Sequence, residues 1–159
     1  MKRNFGSATL TILALAILLA GLTPVAHSAT CSTATVAGTW GFTLTGTAIL
    51  PGVGPVPVAA VGRFTTDLQG NGVGTEARSV GGDYADETIT GKWTVNADCT
   101  GTLTANIYEN GNLVRVSVTS VVFDDNSKEF RMVQKSLTLP DGTPVPVIIT
   151  LDGRRHRAS

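Results

Sequence analysis

From residue 30 onward the chain is a succession of eight short runs in which apolar and polar residues alternate with period two, cut at nearly regular intervals by Gly, Pro, Asn and Asp. Successive side chains of a strand point to opposite faces, so a run of this kind has one buried face and one wet face. Strands are expected near residues 39–49, 56–67, 73–81, 86–96, 100–109, 113–123, 128–137 and 144–153, and no helical period competes with them. Between them lie turn residues: Pro51, Gly52, Gly54 and Pro55; Gly70, Asn71 and Gly72; Gly81, Gly82 and Asp83; Asn110, Gly111 and Asn112; Asp124, Asp125 and Asn126; Pro140, Asp141 and Gly142. Connections this short join antiparallel neighbours. The expected fold is all-β, a single antiparallel up-and-down barrel of about eight strands, with a two-layer β-sandwich as the alternative. Sequential hairpins favour the barrel, because closure leaves no exposed edge.

The first 29 residues are of a different kind. Lys2 and Arg3 precede an apolar stretch from Leu10 to Leu22, followed by Pro24 and small residues around Ala26, Ser28 and Ala29. That is the charged, apolar and small-residue order of a secretory signal peptide. The expected domains are a signal peptide over 1–29 and one barrel domain over 30–159 with a short basic tail, Arg154, Arg155, His156 and Arg157. The expected location is periplasmic or extracellular. Thr30 before Cys31 argues against lipidation.

Cleavage after Ala29 leaves 130 residues, enough for a real core, with ten basic and twelve acidic residues and a net charge of −2. That balance gives no reason to expect a nucleic-acid partner, and no stable membrane insertion is expected once the signal is gone. Cys31 and Cys99 are the only cysteines, and in an oxidising compartment they are expected to form a disulfide. Closing so long a loop stabilises by roughly 4 kcal/mol in the chain-entropy account.

The alternation is clearest in the middle of the chain, where Ile89, Gly91, Trp93 and Val95 share one face, opposite Thr88, Thr90, Lys92 and Thr94. Leu103, Ala105 and Ile107 repeat it, and Val114, Val116, Val118 and Val122 form an apolar row opposite Arg115, Ser117 and Thr119. The expected interior, and hence the candidate ligand-binding set, is Trp40, Phe42, Phe64, Trp93, Val116, Met132 and Gln134, joined by Leu44, Val118 and Phe130. Gln134, in phase with Phe130 and Met132, is the one polar group among them. Gly46, Ala48, Ala60, Gly62, Gly91 and Ala105 share the phase of the large residues, where they either leave room for a ligand or let the barrel close tightly.

Catalytic chemistry is thinly represented. With His27 in the signal, His156 is the one histidine left, so a Ser-His-Asp or Cys-His relay and a histidine-based metal site have no basis. No cofactor, no metal and no enzymatic activity are expected. Asp83, Asp86 and Glu87 cluster beside Tyr84; two carboxylates can act as acid and base, but Gly81 and Gly82 just before them point to a solvated turn. Asp67 to Gly72 and Asp124-Asp125-Asn126 offer oxygen ligands without the spacing of a calcium loop, and read as hairpins. The loop Pro51 to Pro57 and the segment Gly81 to Ala85 are expected rims of a barrel mouth.

Gly38-Thr39-Trp40 at the start of the first strand, with Arg154 and Arg155 after the last, resembles the Gly-x-Trp opening of the calycin barrels, the lipocalin and avidin group. The resemblance implies a tryptophan closing one end of the barrel beside a basic residue from a late strand. Val61-Gly62-Arg63-Phe64, Gly70 to Gly74, Gly91 to Thr102 with its Asp98-Cys99-Thr100-Gly101-Thr102 turn, and the ending Gly153-Arg154-Arg155 resemble a group of small exported bacterial proteins with no assigned activity. That likeness implies secretion and a β fold, and carries over no catalytic residue.

Three functional readings follow: a secreted, non-enzymatic barrel with a small apolar molecule as partner; a structural or adhesive envelope or extracellular protein acting through its surface; and a barrel isomerase using Asp86 or Glu87. A cavity lined by Trp93 and Met132 favours the first, a solid core the second and a buried carboxylate at a cavity mouth the third.

Overall fold

A computed structural model describes residues 30–124 and 126–156. The expected signal peptide lies outside the described residues, as do Asp125 and Arg157. Among the described residues eight strands make up the regular structure: β1 (Gly38–Leu50), β2 (Gly54–Thr66), β3 (Asn71–Val80), β4 (Asp83–Val95), β5 (Thr100–Glu109), β6 (Asn112–Asp124), β7 (Glu129–Thr138) and β8 (Val147–Arg155). Each pairs antiparallel with the next, and β8 returns to β1, with Trp40 opposite Arg155, to close a barrel. The barrel, not the sandwich, is the fold.

Turn chemistry sets the register. The two-residue Gly81-Gly82 turn pairs Val80 with Asp83, so counting down the hairpin sets Glu76 opposite Glu87 and Gly72 opposite Gly91. Both glycines of that turn have positive φ, as such a turn requires. Inside, Gly62, Gly72 and Gly153 lie where the rings of Phe42, Phe64 and Phe130 leave no space for a Cβ, whereas Ala48, Ala60 and Ala105 border open space. The small inner residues therefore do both things expected of them, in different places.

Two irregularities change which face points inward. Between Ile107 and Tyr108 the register against β6 shifts: Tyr108 faces Leu113, Ile107 faces Arg115, and Val114 has no partner. One extra residue inverts the facing of everything after it. Arg115, Ser117, Thr119, Val121 and Phe123 therefore form the inner row of β6. Val116 and Val118, expected inside, point outward and are only half-buried, while Val122 on the same face is exposed. A second extra residue, Lys135, lies between the Thr119–Gln134 and Val118–Ser136 pairs, after which Leu137 faces in.

β8 runs two residues further than expected and takes in Arg154 and Arg155. The His156 amide still donates to the Thr39 carbonyl at 2.8 Å, so these three residues extend the sheet and do not form a free tail.

Candidate functional site

The two ends of the barrel are built differently. At one end Trp40 is fully buried and packs with Trp93, Phe123 and Phe130, ring centroids 5.3 to 6.5 Å away, and Phe64 lies 6.3 Å from Trp93. The segment before β1 folds over these rings: Trp40 Nε1 donates to the Val36 carbonyl at 3.0 Å, and Val36 is buried. The Cys31–Cys99 disulfide ties that segment to the turn before β5. Arg155 lies 5.6 Å over the Trp40 ring and donates to the Ala37 carbonyl. A tryptophan beside a late-strand cation closes this end, as the Gly-x-Trp resemblance implies.

At the other end the hairpins Pro51–Val53, Gly81–Gly82 and Asn110–Gly111 and the loop 139–146 surround a mouth, as expected for the first two. Between mouth and aromatic floor is a cavity of about 310 Å³, at the small end of the range for ligand pockets. Phe64, Trp93 and Phe130 line its floor, and Leu44, Ala60, Leu103, Ile149 and Leu151 are among the aliphatic residues of its walls. Of the expected ligand-contact residues, Phe42, Phe64, Trp93, Met132 and Gln134 border the cavity. Trp40 does not, because it lies beneath the floor, and Val116 does not, because the β6 irregularity turns it outward.

β6 and β7 bring hydroxyl and amide groups to the cavity. Gln134 Nε2 donates to Ser117 Oγ at 2.7 Å, and Thr119 Oγ1 donates to Met132 Sδ at 3.3 Å. Trp93 Nε1 is buried without a hydrogen-bond partner among the described residues.

Nearer the mouth, β3, β4 and β6 contribute a charged cluster absent from the sequence-based expectation. Glu87, with a side chain 0 % exposed, accepts from Arg78 Nε at 2.9 Å and from Arg115 Nη1 and Nη2 at 2.6 and 2.5 Å. Arg115 Nη2 also reaches Glu76 Oε1 at 2.9 Å. Arg78 touches Asp83 and Glu109 at the rim, both at 3.4 Å. Glu76, Arg78 and Arg115 line the cavity, while Glu87 is sealed behind the guanidinium groups.

Burial pushes the Glu76 carboxyl up from its ordinary 4.5 to about 7; Arg115 opposes the rise, and the hydrogen bond to Glu87 and its charge add to it. Burial acts on Glu87 in the same direction, but the hydrogen bonds and charge of Arg115 and the hydrogen bond from Arg78 outweigh it and hold that carboxyl low. Of the two carboxyl groups facing each other across the ladder, Glu76 is therefore the one that holds a proton below about 7, and Glu87 the one held ionised.

The Asp83–Glu87 segment is therefore no simple solvated turn. Asp83 is exposed at the rim, Tyr84 donates to Asp86 at 2.6 Å on the outer surface, and Glu87 is wholly inside. Neither Asp86 nor Glu87 can touch a molecule in the cavity, which removes the two residues on which an isomerase reading rested. Counting back from Trp93 in steps of two through Gly91 and Ile89 leads to Glu87, and the Gly81-Gly82 turn then leads to Glu76; that was the available signal. Arg115 had none, since its facing depends on the irregularity at Val114.

No protein-family model matches the chain, and no curated protein matches it. Solved structures do. EF1p2_mFAP2b bound to DFHBI aligns with a TM-score of 0.56 at 14 % identity, over 79 % of this chain and all of that one. A redesigned beta barrel, mFAP1, bound to DFHBI aligns with a TM-score of 0.50 at 19 % identity, over 78 % of this chain and 98 % of that one. The S-type phycobiliprotein lyase CPES from Guillardia theta aligns at 0.46 with 10 % identity, over 82 % of this chain and 96 % of that one. The first two share the fold of this chain.

Proposed function

We propose that the protein is an exported, non-enzymatic carrier that holds one small, mostly apolar molecule inside its barrel. The observation carrying this reading is the cavity itself: about 310 Å³ between an aromatic floor and largely aliphatic walls, with a few polar groups from β3, β6 and β7. Protein cores normally close to crystal-like density, so a space of this size bordered by Phe42, Trp93 and Met132 is costly unless it is filled in use. The two barrels of like fold named above carry DFHBI, a compatible use of such a shell. Export is supported by the N-terminal sequence and by the Cys31–Cys99 disulfide, which persists in oxidising compartments.

A role through the outer surface has less support. Among the exposed large apolar residues, Val122, Val133, Ile148 and Ile49 stand in diagonal register across the outer faces of β6, β7, β8 and β1, with Ser120, Thr150 and Thr47 as their direct ladder neighbours breaking up the row. The carrier reading is tested by titration with the neutral apolar fluorophore N-phenyl-1-naphthylamine. Saturable one-to-one enhancement is expected, and Ala60→Trp, which fills the cavity, should abolish it with the circular dichroism of the barrel intact. Enhancement that survives Ala60→Trp would put the dye on the surface and end the reading.

A further inference from the structure

Resting on the carrier reading, we infer that the cavity is built for an apolar molecule bearing a protonated amine, which the Glu76 carboxylate receives. The arrangement of charges at the mouth carries the inference. Four carboxylates contact two guanidinium groups: Glu87, Asp83 and Glu109 on Arg78, and Glu87 and Glu76 on Arg115. Asp83 is open to solvent and Glu109 partly so, and both lie 3.4 Å from Arg78. Within the buried part, Arg115 commits both Nη atoms to Glu87 and lends one of them to Glu76. Arg78 spends Nε on Glu87 and its Nη atoms on the rim acids.

Glu76 is thus the buried carboxyl whose one guanidinium contact, Arg115 Nη2, is shared with Glu87, and it borders the cavity. On β2 the position opposite is Gly62, which adds no charge, and the Phe42 ring lies against that glycine. A ligand carboxylate would meet Glu76 and guanidinium groups already engaged. An alcohol would gain a hydrogen bond without charge. An ammonium would give Glu76 a cation it need not share, at a mouth where four carboxylates face two guanidinium groups.

Decylamine, decanol and decanoate, which share one chain and differ in head group, test this by calorimetric titration at pH 7.5 into the disulfide-bonded protein. Decylamine is expected to bind tighter than either of the others by about tenfold or more, and Glu76→Gln should erase that preference while leaving decanol within about threefold. In the unsubstituted protein, decylamine affinity should fall by up to about tenfold per pH unit below 7, as Glu76 takes up its proton, while decanol stays flat. Decanol or decanoate binding as tightly as the amine, or a flat pH profile for the amine, overturns the inference and leaves the carrier reading standing. Failure of all three to bind removes both. Should Glu76→Gln not fold, the pH profile of the unsubstituted protein decides.

Discussion

The closed end and the mouth of this barrel solve opposite problems with the same strands. At the closed end β1, β4, β6 and β7 send in Trp40, Trp93, Phe123 and Phe130, and Arg155 stacks over Trp40. Near the mouth β3, β4 and β6 send in Glu76, Arg78, Glu87 and Arg115, all largely buried. Ring burial stabilises by area and contact; buried ion pairs roughly break even against their own dehydration. One end therefore supplies stability, and the other spends some of it to keep charge beside an apolar space.

The largest expected effect lies at the closed end. Trp40→Ala removes a fully buried ring and the bond to Val36, and should cost about 3 to 5 kcal/mol in urea unfolding. Since Trp40 does not border the cavity, dye binding by the fraction still folded should keep its affinity. A variant that stays stable but loses dye affinity would break the division between the two ends.

A smaller loss is expected for Glu87→Gln, which leaves Arg78 and Arg115 without their shared counter-ion. Removing one partner of a buried pair costs about 3 kcal/mol, at the lower end of the usual range because Glu76 is at hand to take up Arg115. Ionisation of Glu76 beside the freed guanidinium groups should follow, seen as a Glu76 carboxyl resonance titrating below 7 in the variant. An unchanged unfolding midpoint would show that the cluster is more hydrated than its burial implies.

How far each end was legible in the sequence follows from the same contrast. Eight strands, closure and the aromatic interior could be read because turn residues and apolar alternation are local signals, and Trp40, Phe42, Phe64, Trp93 and Met132 obey them. The charged wall could not be read in full, because alternation assigns polar residues to the wet face and one unpartnered residue, Val114, reverses that assignment along β6. Val116 and Arg115 exchanged faces for that reason alone. Glu76 and Glu87 were recoverable from the Gly81-Gly82 turn, but a carboxylate facing a barrel interior contradicts the usual cost of burying charge, and only the guanidinium groups from β3 and β6 make it tolerable.

The smallest effect sharpens the comparison most, because it isolates one proton. Glu76 binds its proton more tightly folded, at about 7, than at its ordinary 4.5. The stability this proton contributes is complete below 4.5 and is lost as pH rises through 7. Glu87, held low, acts oppositely and only below about 4.5, where its contribution disappears. Between pH 5 and pH 8 the Glu76 slope therefore stands apart from that of Glu87. Urea unfolding of the unsubstituted protein should lose about 1 to 3 kcal/mol from pH 5 to pH 8 relative to Glu76→Gln, which has no proton there to lose. Equal slopes in the two proteins would mean that Glu76 is ionised at no cost, and that the mouth is no more expensive to maintain than the aromatic end.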